Sequence, residues 1–187
     1  MTGLSSPANL ISFARAALAP LVLLLLASGN RLGLIFALLI VFLAAASDLV
    51  DGYIARRSGP PPALGRYLDN ACDAIFSLGV FLGFLANHWL PATWFLAIYF
   101  AEIMVPYLGA FTKQIGQPFE VRWSAKLKTT VHPLTQIAAV AMAVFLPVPA
   151  AAGESFLVAV ALGAAVAASL IYLVDHAVLA MWRSRRA

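Results

Sequence analysis

Eight residues spread over 26 positions carry chemistry that an apolar chain has little other reason to hold. They lie in SDLVDGYIARRSGPPPALGRYLDNACDAIF, Ser47 to Phe76, which contains four of the chain's eight acidic residues: Asp48, Asp51, Asp69 and Asp73. At about 100° per residue, Asp48, Asp51, Gly52, Ala55 and Arg56 fall in one sector of a helix. Gly65, Asp69 and Asp73 follow each other at intervals of four and line one face of a second helix. Between them, Ser58-Gly59-Pro60-Pro61-Pro62 cannot continue a helix and forces a turn. The expected element is a helical hairpin with carboxylates on both arms and small residues beside them. Carboxylates without histidine or cysteine partners are hard oxygen donors, suited to Mg²⁺, Mn²⁺ or Ca²⁺ rather than zinc. Two such ions a few ångströms apart form a clamp for phosphoryl transfer. Gly52 and Ala55 would let a nucleotide approach the backbone, and Arg56 would meet a phosphate.

The elements that must position this hairpin are membrane helices. The 187 residues are 63% hydrophobic and 11% charged, with a mean hydropathy of +0.91; ordinary soluble domains carry about 25% charge. Several uncharged runs approach the roughly 20 residues needed to span a bilayer. In lipid only helices or closed barrels satisfy the backbone, and no alternating pattern suggests a barrel. The expectation is an all-α membrane protein, a single domain over residues 1–187, built as a six-transmembrane helical bundle with a cytoplasmic-facing polar cavity. The expected helices run from Ala8 to Ser28, Leu32 to Arg57, Leu64 to Asn87, Leu90 to Phe111, Ser124 to Leu146 and Glu154 to Trp182, with a kink expected at Pro106. The first is read as a retained membrane helix rather than a signal peptide. A single cysteine, Cys72, excludes an intramolecular disulfide.

Charge placement supplies the orientation. Ten of the twelve lysines and arginines fall at the turn after the second helix, around the fourth-to-fifth connection or in the tail. By the positive-inside rule that side is cytoplasmic, with both termini and the aspartates on it. The same placement argues against nucleic acid as the reason for the net charge of +4.

The competing reading is that polar residues merely mark helix ends. It is adequate for a lone aspartate and weak for four on two arms, each costing about 2.5–3.5 kcal/mol at mid-membrane and less near the interface. Small residues of the last helix, Gly163-Ala164-Ala165 and Ala167-Ala168-Ser169, read as close helix packing. Trp89, Trp94, Trp123 and Trp182 read as interfacial anchors. His132 reads as a packing or hydrogen-bonding residue, and His88 and His176 as structural. Glu102, an acid inside the fourth helix, is a functional candidate by position.

The string Asp48-x2-Asp51-Gly52-x2-Ala55-Arg56-x8-Gly65-x3-Asp69-x3-Asp73 resembles the signature of the CDP-alcohol phosphotransferases at every defined position. Asn9-Leu10-x-Ser12-x2-Arg15 is similar to that family's N-terminal entry. Lys126-Leu127-Lys128-Thr129 is similar to a stretch of its phosphatidylglycerophosphate synthase branch, which often has Arg-Glu where this chain has Ala101-Glu102. The resemblance implies a reaction at the cytoplasmic face of a bacterial cell (inner) membrane, in which an alcohol attacks the lipid-side phosphate of CDP-diacylglycerol and expels CMP. It implies that Asp48, Asp51, Asp69 and Asp73 hold Mg²⁺ or Mn²⁺, as two ions, with Asp73 also the general base. Gly52, Ala55, Arg56, Gly65 and Asn9 would surround the CDP moiety, and the protein would be a homodimer. Arg122, Lys126 and Lys128 would bind the phosphate of the acceptor, with topological anchoring as their plainer reading. Lys126 and Lys128 lie about 160° apart on a helix, so only one is expected to point inward. Glycerol 3-phosphate is the favoured acceptor; phosphatidylglycerol, inositol phosphate and serine remain open. A small cation transporter with an acidic site is the reading from another class, opposed by the absence of matching acids on the far side.

Overall fold

The described residues fold into six helices in the computed structural model: α1 (Pro7–Ala27), α2 (Arg31–Ser58), α3 (Ala63–Ala86), α4 (Ala92–Gln114), α5 (Trp123–Phe145) and α6 (Phe156–Ser184). The structure describes residues 7–58, 63–116, 122–146 and 156–184, without the side chains of 7–9, 48–58, 63, 64 and 66. Each boundary falls close to its expected place, because turn residues interrupt the apolar runs. Ser28-Gly29-Asn30 reverses the chain between α1 and α2. Gly29 takes φ 62°, a left-handed conformation that a Cβ disfavours, and the Asn30 side chain accepts the Gly33 N–H at 2.7 Å, a cap for α2. Helix α4 continues through Pro106.

Among the described residues, four helices are long and apolar enough to cross a membrane: α1, α3, α4 and α6. In α2 the described side chains form an apolar stretch over Arg31–Ser47, and Asp48 and Asp51 follow it in the sequence. In α5 the first half carries Lys126, Lys128, Thr129, Thr130 and His132. The outward faces are apolar, with Leu24, Leu43, Phe145 and Val174 exposed. This is the surface of an integral membrane protein, since water would penalise it and lipid does not.

Two packing contacts set the frame. Helix α1 lies along α3, where Gly79 and Gly83, four residues apart, let it approach. A Cβ at Gly79 would stand 2.9 Å from that of Ala19, and one at Gly83 would stand 2.9 Å from that of Leu26. This is the small-x3-small packing of membrane helices. The Asn87 amide closes the far end, donating to the carbonyls of Leu26 at 2.8 Å and Gly83 at 2.9 Å. Helices α4 and α5 both pack on α6, whose Ala165, Ala168 and Ser169 are buried, as expected for its small residues. Lys113, at the end of α4, bonds the Tyr67 hydroxyl at the start of α3, so α3 and α4 run antiparallel. The α5 residue Gln136 reaches Ser77 of α3, 2.9 Å to its hydroxyl.

Trp89 is a correction to the interfacial-anchor reading. It is 7% exposed and stacks on Phe84 with ring centroids 5.6 Å apart. His88, at φ 60°, turns the chain there and folds Trp89 back into the core. Trp123 and Trp182 are exposed.

Candidate functional site

Helix α3 presents Asp69 and Asp73 one turn apart, both partly exposed, while Cys72 and Gly65 are buried. What holds the two carboxylates comes from α1. Ser12 donates its hydroxyl to Asp69 Oδ1 at 2.7 Å. Arg15, its side chain 4% exposed, forms an ion pair with Asp73 Oδ1. Through its other terminal nitrogen Arg15 also donates to the Ser47 hydroxyl of α2 at 2.8 Å. Arg15 therefore ties the two arms of the acidic stretch together. Ser47 is the residue before Asp48, so the tie is made where the first arm begins. A cleft of about 200 Å³ between α1 and α2, lined by Ile11, Leu18, Ile40, Leu43 and Ala44, opens beside Arg15 and Ser47.

The expected metal set is described only in half. Asp48 and Asp51 lie on the backbone of α2, but their side chains fall outside the described residues, as do those of Gly52, Ala55, Arg56 and Asn9. Among the described residues no group of three histidine, cysteine, aspartate or glutamate side chains stands ready to hold an ion. Asp69 and Asp73 fit a hard divalent cation by donor chemistry, being two oxygen donors on one helix face.

The three expected acceptor-side cations part ways. Arg122 donates to Asp175 of α6 at 2.6 Å, and Ser124 donates to the same oxygen at 2.5 Å. Lys128 turns inward, 15% exposed, and pairs with Glu102 Oε2 at 2.7 Å. Its ammonium also lies 4.8 Å from the centre of the Tyr172 ring, a cation–π contact. Lys126 is exposed. The 160° separation of the two lysines thus resolves with Lys128 inside. His132 bonds Ser169 at 2.9 Å and packs against Phe81, the hydrogen-bonding role expected of it.

Sequence reasoning overlooked three features here. Asp175 was hidden by its apolar neighbours, yet Ser169, Tyr172 and Asp175 recur every three residues on α6 and meet His132, Lys128 and Arg122 in turn. Gly79-x3-Gly83 was a readable packing signal. Ser47 carried none.

Relatives bear on the site once its geometry is known. The chain is 29% identical over 106 residues to a CDP-diacylglycerol--glycerol-3-phosphate 3-phosphatidyltransferase of Treponema pallidum, covering 57% of this chain and 49% of that protein. It is 33% identical over 113 residues to a cardiolipin synthase (CMP-forming) of Streptomyces coelicolor, covering 59% and 53%. It is 32% identical over 107 residues to a CDP-diacylglycerol--glycerol-3-phosphate 3-phosphatidyltransferase of Yersinia enterocolitica, covering 53% and 56%. The chain thus spans about half the length of these curated relatives. The family model described as CDP-alcohol phosphatidyltransferase matches residues 6–182, almost end to end, and the chain belongs to that family.

Proposed function

We propose that this protein is an integral membrane phosphotransferase of phospholipid synthesis. It transfers the phosphatidyl group of CDP-diacylglycerol to an alcohol, glycerol 3-phosphate giving phosphatidylglycerophosphate, and releases CMP. The observation that carries this reading is the α3 carboxylate pair, Asp69 and Asp73, held by Ser12 and Arg15 of α1 in a chain that bears the whole eight-position acidic signature. The bundle crosses the membrane six times, with its termini and site on the cytoplasmic side of a bacterial inner membrane, and works as a homodimer.

In the transfer, the acceptor hydroxyl oxygen forms a bond to the lipid-side phosphorus. The bond from that phosphorus to the CMP oxygen breaks, and the hydroxyl proton passes to an Asp73 carboxylate oxygen. Arg15 orients Asp73, and Ser12 orients Asp69. Asp48, Asp51, Asp69 and Asp73 would hold two Mg²⁺ or Mn²⁺ ions, whose chemistry when bound is polarisation of the phosphoryl group and stabilisation of the leaving CMP. Gly52, Ala55, Arg56, Gly65 and Asn9 surround the cytidine diphosphate, and the acceptor binds on the α5 side.

One observation favours a second acceptor. Arg122 and Lys128 each already face an acid, Asp175 and Glu102, so these two cations offer less uncompensated positive charge than a phosphate monoester calls for. Phosphatidylglycerol, a phosphodiester that would yield cardiolipin, needs less.

The test is CMP release from labelled CDP-diacylglycerol by the purified protein in detergent, with a panel of alcohols. Release should require Mg²⁺ or Mn²⁺, stop with EDTA, and fall in Asp48→Asn and Asp51→Asn. Full activity after exhaustive chelation would sink the site assignment. Release with serine alone would overturn both acceptors while leaving the chemistry. Cation flux in proteoliposomes without CMP release would return the transporter reading.

A further inference from the structure

The four signature aspartates leave Glu102 without a task, yet α4 carries it into the interior with its side chain only 5% exposed. A buried carboxylate is unfavourable unless its oxygens are satisfied. Here each oxygen faces a cationic or polar group of α5. Oε2 takes the Lys128 ammonium at 2.7 Å, and Oε1 stands 3.5 Å from His132 Nδ1. His132 is itself fixed, since the Ser169 hydroxyl donates to the Ala165 carbonyl at 3.0 Å and its oxygen is left to accept the His132 Nε2–H. Among the described residues the hydrogen bond to this carboxylate comes from Lys128, while His132 Nδ1 makes none, so Glu102 and Lys128 hold each other.

Lys128 has a use for such an anchor. An ammonium has three donors. Glu102 takes one and the Tyr172 ring flanks the head, so a further donor remains for a ligand. The helix register puts that donor at the reacting end of the bundle. Gln136 and Ser77 join α5 to α3. Asp73 lies one turn before Ser77, and Lys128 lies two turns, about 12 Å, before Gln136. Both helices start at the same end, because α3 begins beside the end of α4 and α5 follows α4.

We propose that Glu102 is a positioning residue for the transfer: it fixes the Lys128 ammonium so that its remaining donor meets the phosphate of the acceptor alcohol, monoester or diester. The proposal rests on the reading that the acceptor binds on the α5 side. An unanchored lysine on a four-carbon stem would sample many rotamers, and Lys126, exposed two residues earlier, is that case. Anchoring removes the entropy cost before the acceptor arrives.

The experiment measures steady-state CMP release with glycerol 3-phosphate and with phosphatidylglycerol, using whichever acceptor the wild type turns over. Glu102→Gln keeps size and an accepting oxygen but removes the charge. It should raise the acceptor KM about ten- to a hundredfold, with kcat and the KM for CDP-diacylglycerol changed by no more than about twofold. Lys128→Met should do the same, and the double variant should be no worse than Lys128→Met alone, because the two residues act as one unit. If Glu102→Gln does not fold, the double variant supplies the comparison, since removing both partners of a buried pair leaves neither charge stranded. An unchanged acceptor KM, equal increases in both KM values, or additive effects would overturn the proposal. A loss of melting temperature with unaltered kinetics would reduce Glu102 to a structural role and overturn it too. Wild-type inactivity with both acceptors would instead overturn the functional reading, and this inference with it.

Discussion

The contact between Gly79 and Ala19 should matter more to turnover than to folding. In Gly79→Ala the new Cβ would lie 2.9 Å from the Ala19 Cβ, 3.2 Å from its carbonyl oxygen and 3.3 Å from its Cα. Those neighbours are backbone or bound rigidly to it, so no flexible side-chain end can yield. To restore an ordinary carbon–carbon contact of about 3.7 Å, α1 must retreat from α3 by about 0.8 Å. Ser12 is two turns and Arg15 one turn from Ala19 on the same rod. The same retreat carries the Ser12–Asp69 hydrogen bond from 2.7 Å to about 3.5 Å, the limit of a useful bond. Overpacking of this kind costs about 1–3 kcal/mol of stability. Displacement of catalytic groups by about 1 Å can cost about a hundredfold in rate, so kcat for CMP release should fall about ten- to a hundredfold. The control is Gly83→Ala, which clashes with the Leu26 side chain, 2.9 Å from its Cβ, but lies ten residues, about 15 Å, beyond Asp73. It should destabilise comparably with a much smaller kinetic effect. The assay pairs initial rates of CMP release with thermal unfolding in the same detergent. Wild-type kcat in a destabilised Gly79→Ala, or equal kinetic loss in both variants, would refute the view that helix spacing positions the site.

Two further outcomes follow from named contacts. Asp73→Asn keeps the shape of the side chain and removes its capacity to accept a proton, so turnover should fall about 10²–10⁴-fold while CDP-diacylglycerol binds within several-fold; parallel collapse of binding would make Asp73 chiefly a metal ligand. Asp175→Asn removes the charge that Arg122 and Ser124 share, which should cost about 1–3 kcal/mol by thermal or chemical unfolding, and Arg122→Ala should add little to it; full additivity would mean that the two do not act as a pair.

The helices were legible because hydropathy and turn chemistry are local. The expected Ser124 to Leu146 and the observed Trp123–Phe145 differ by one residue at each end, and the acidic run continues α2 to Ser58 as its helical spacing implied. Partnership between helices is not local, and there the sequence was mute. Periodicity put Asp69 and Asp73 on one face of α3 without revealing that α1 would meet that face through Ser12 and Arg15. Arg122 and Lys128 were read as cations awaiting a phosphate because their counter-ions, Asp175 and Glu102, lie 53 and 26 residues away on other helices. Trp89 shows the converse error: a tryptophan at a helix end fits an interface by position, but a five-residue turn folded it inward.

These pairings give the two sets of charges different supports. On one side α1 supplies Ser12 and Arg15 to the carboxylates of α3, and the glycines of α3 set the distance. On the other, α6 and α4 supply Asp175, Tyr172 and Glu102 to the cations of α5. The described side-chain contacts between α3 and α5 run through Gln136 and Ser77 and through the Phe81–His132 packing, and His132 Nδ1 stands 3.5 Å from Glu102. A substitution that retunes the α5 cations acts on partners different from those that hold Asp69 and Asp73. On the proposed reading, that separation lets one frame for CDP-diacylglycerol serve different alcohols: a change at Glu102 or Asp175 alters the charge offered to the acceptor without moving Asp69 or Asp73.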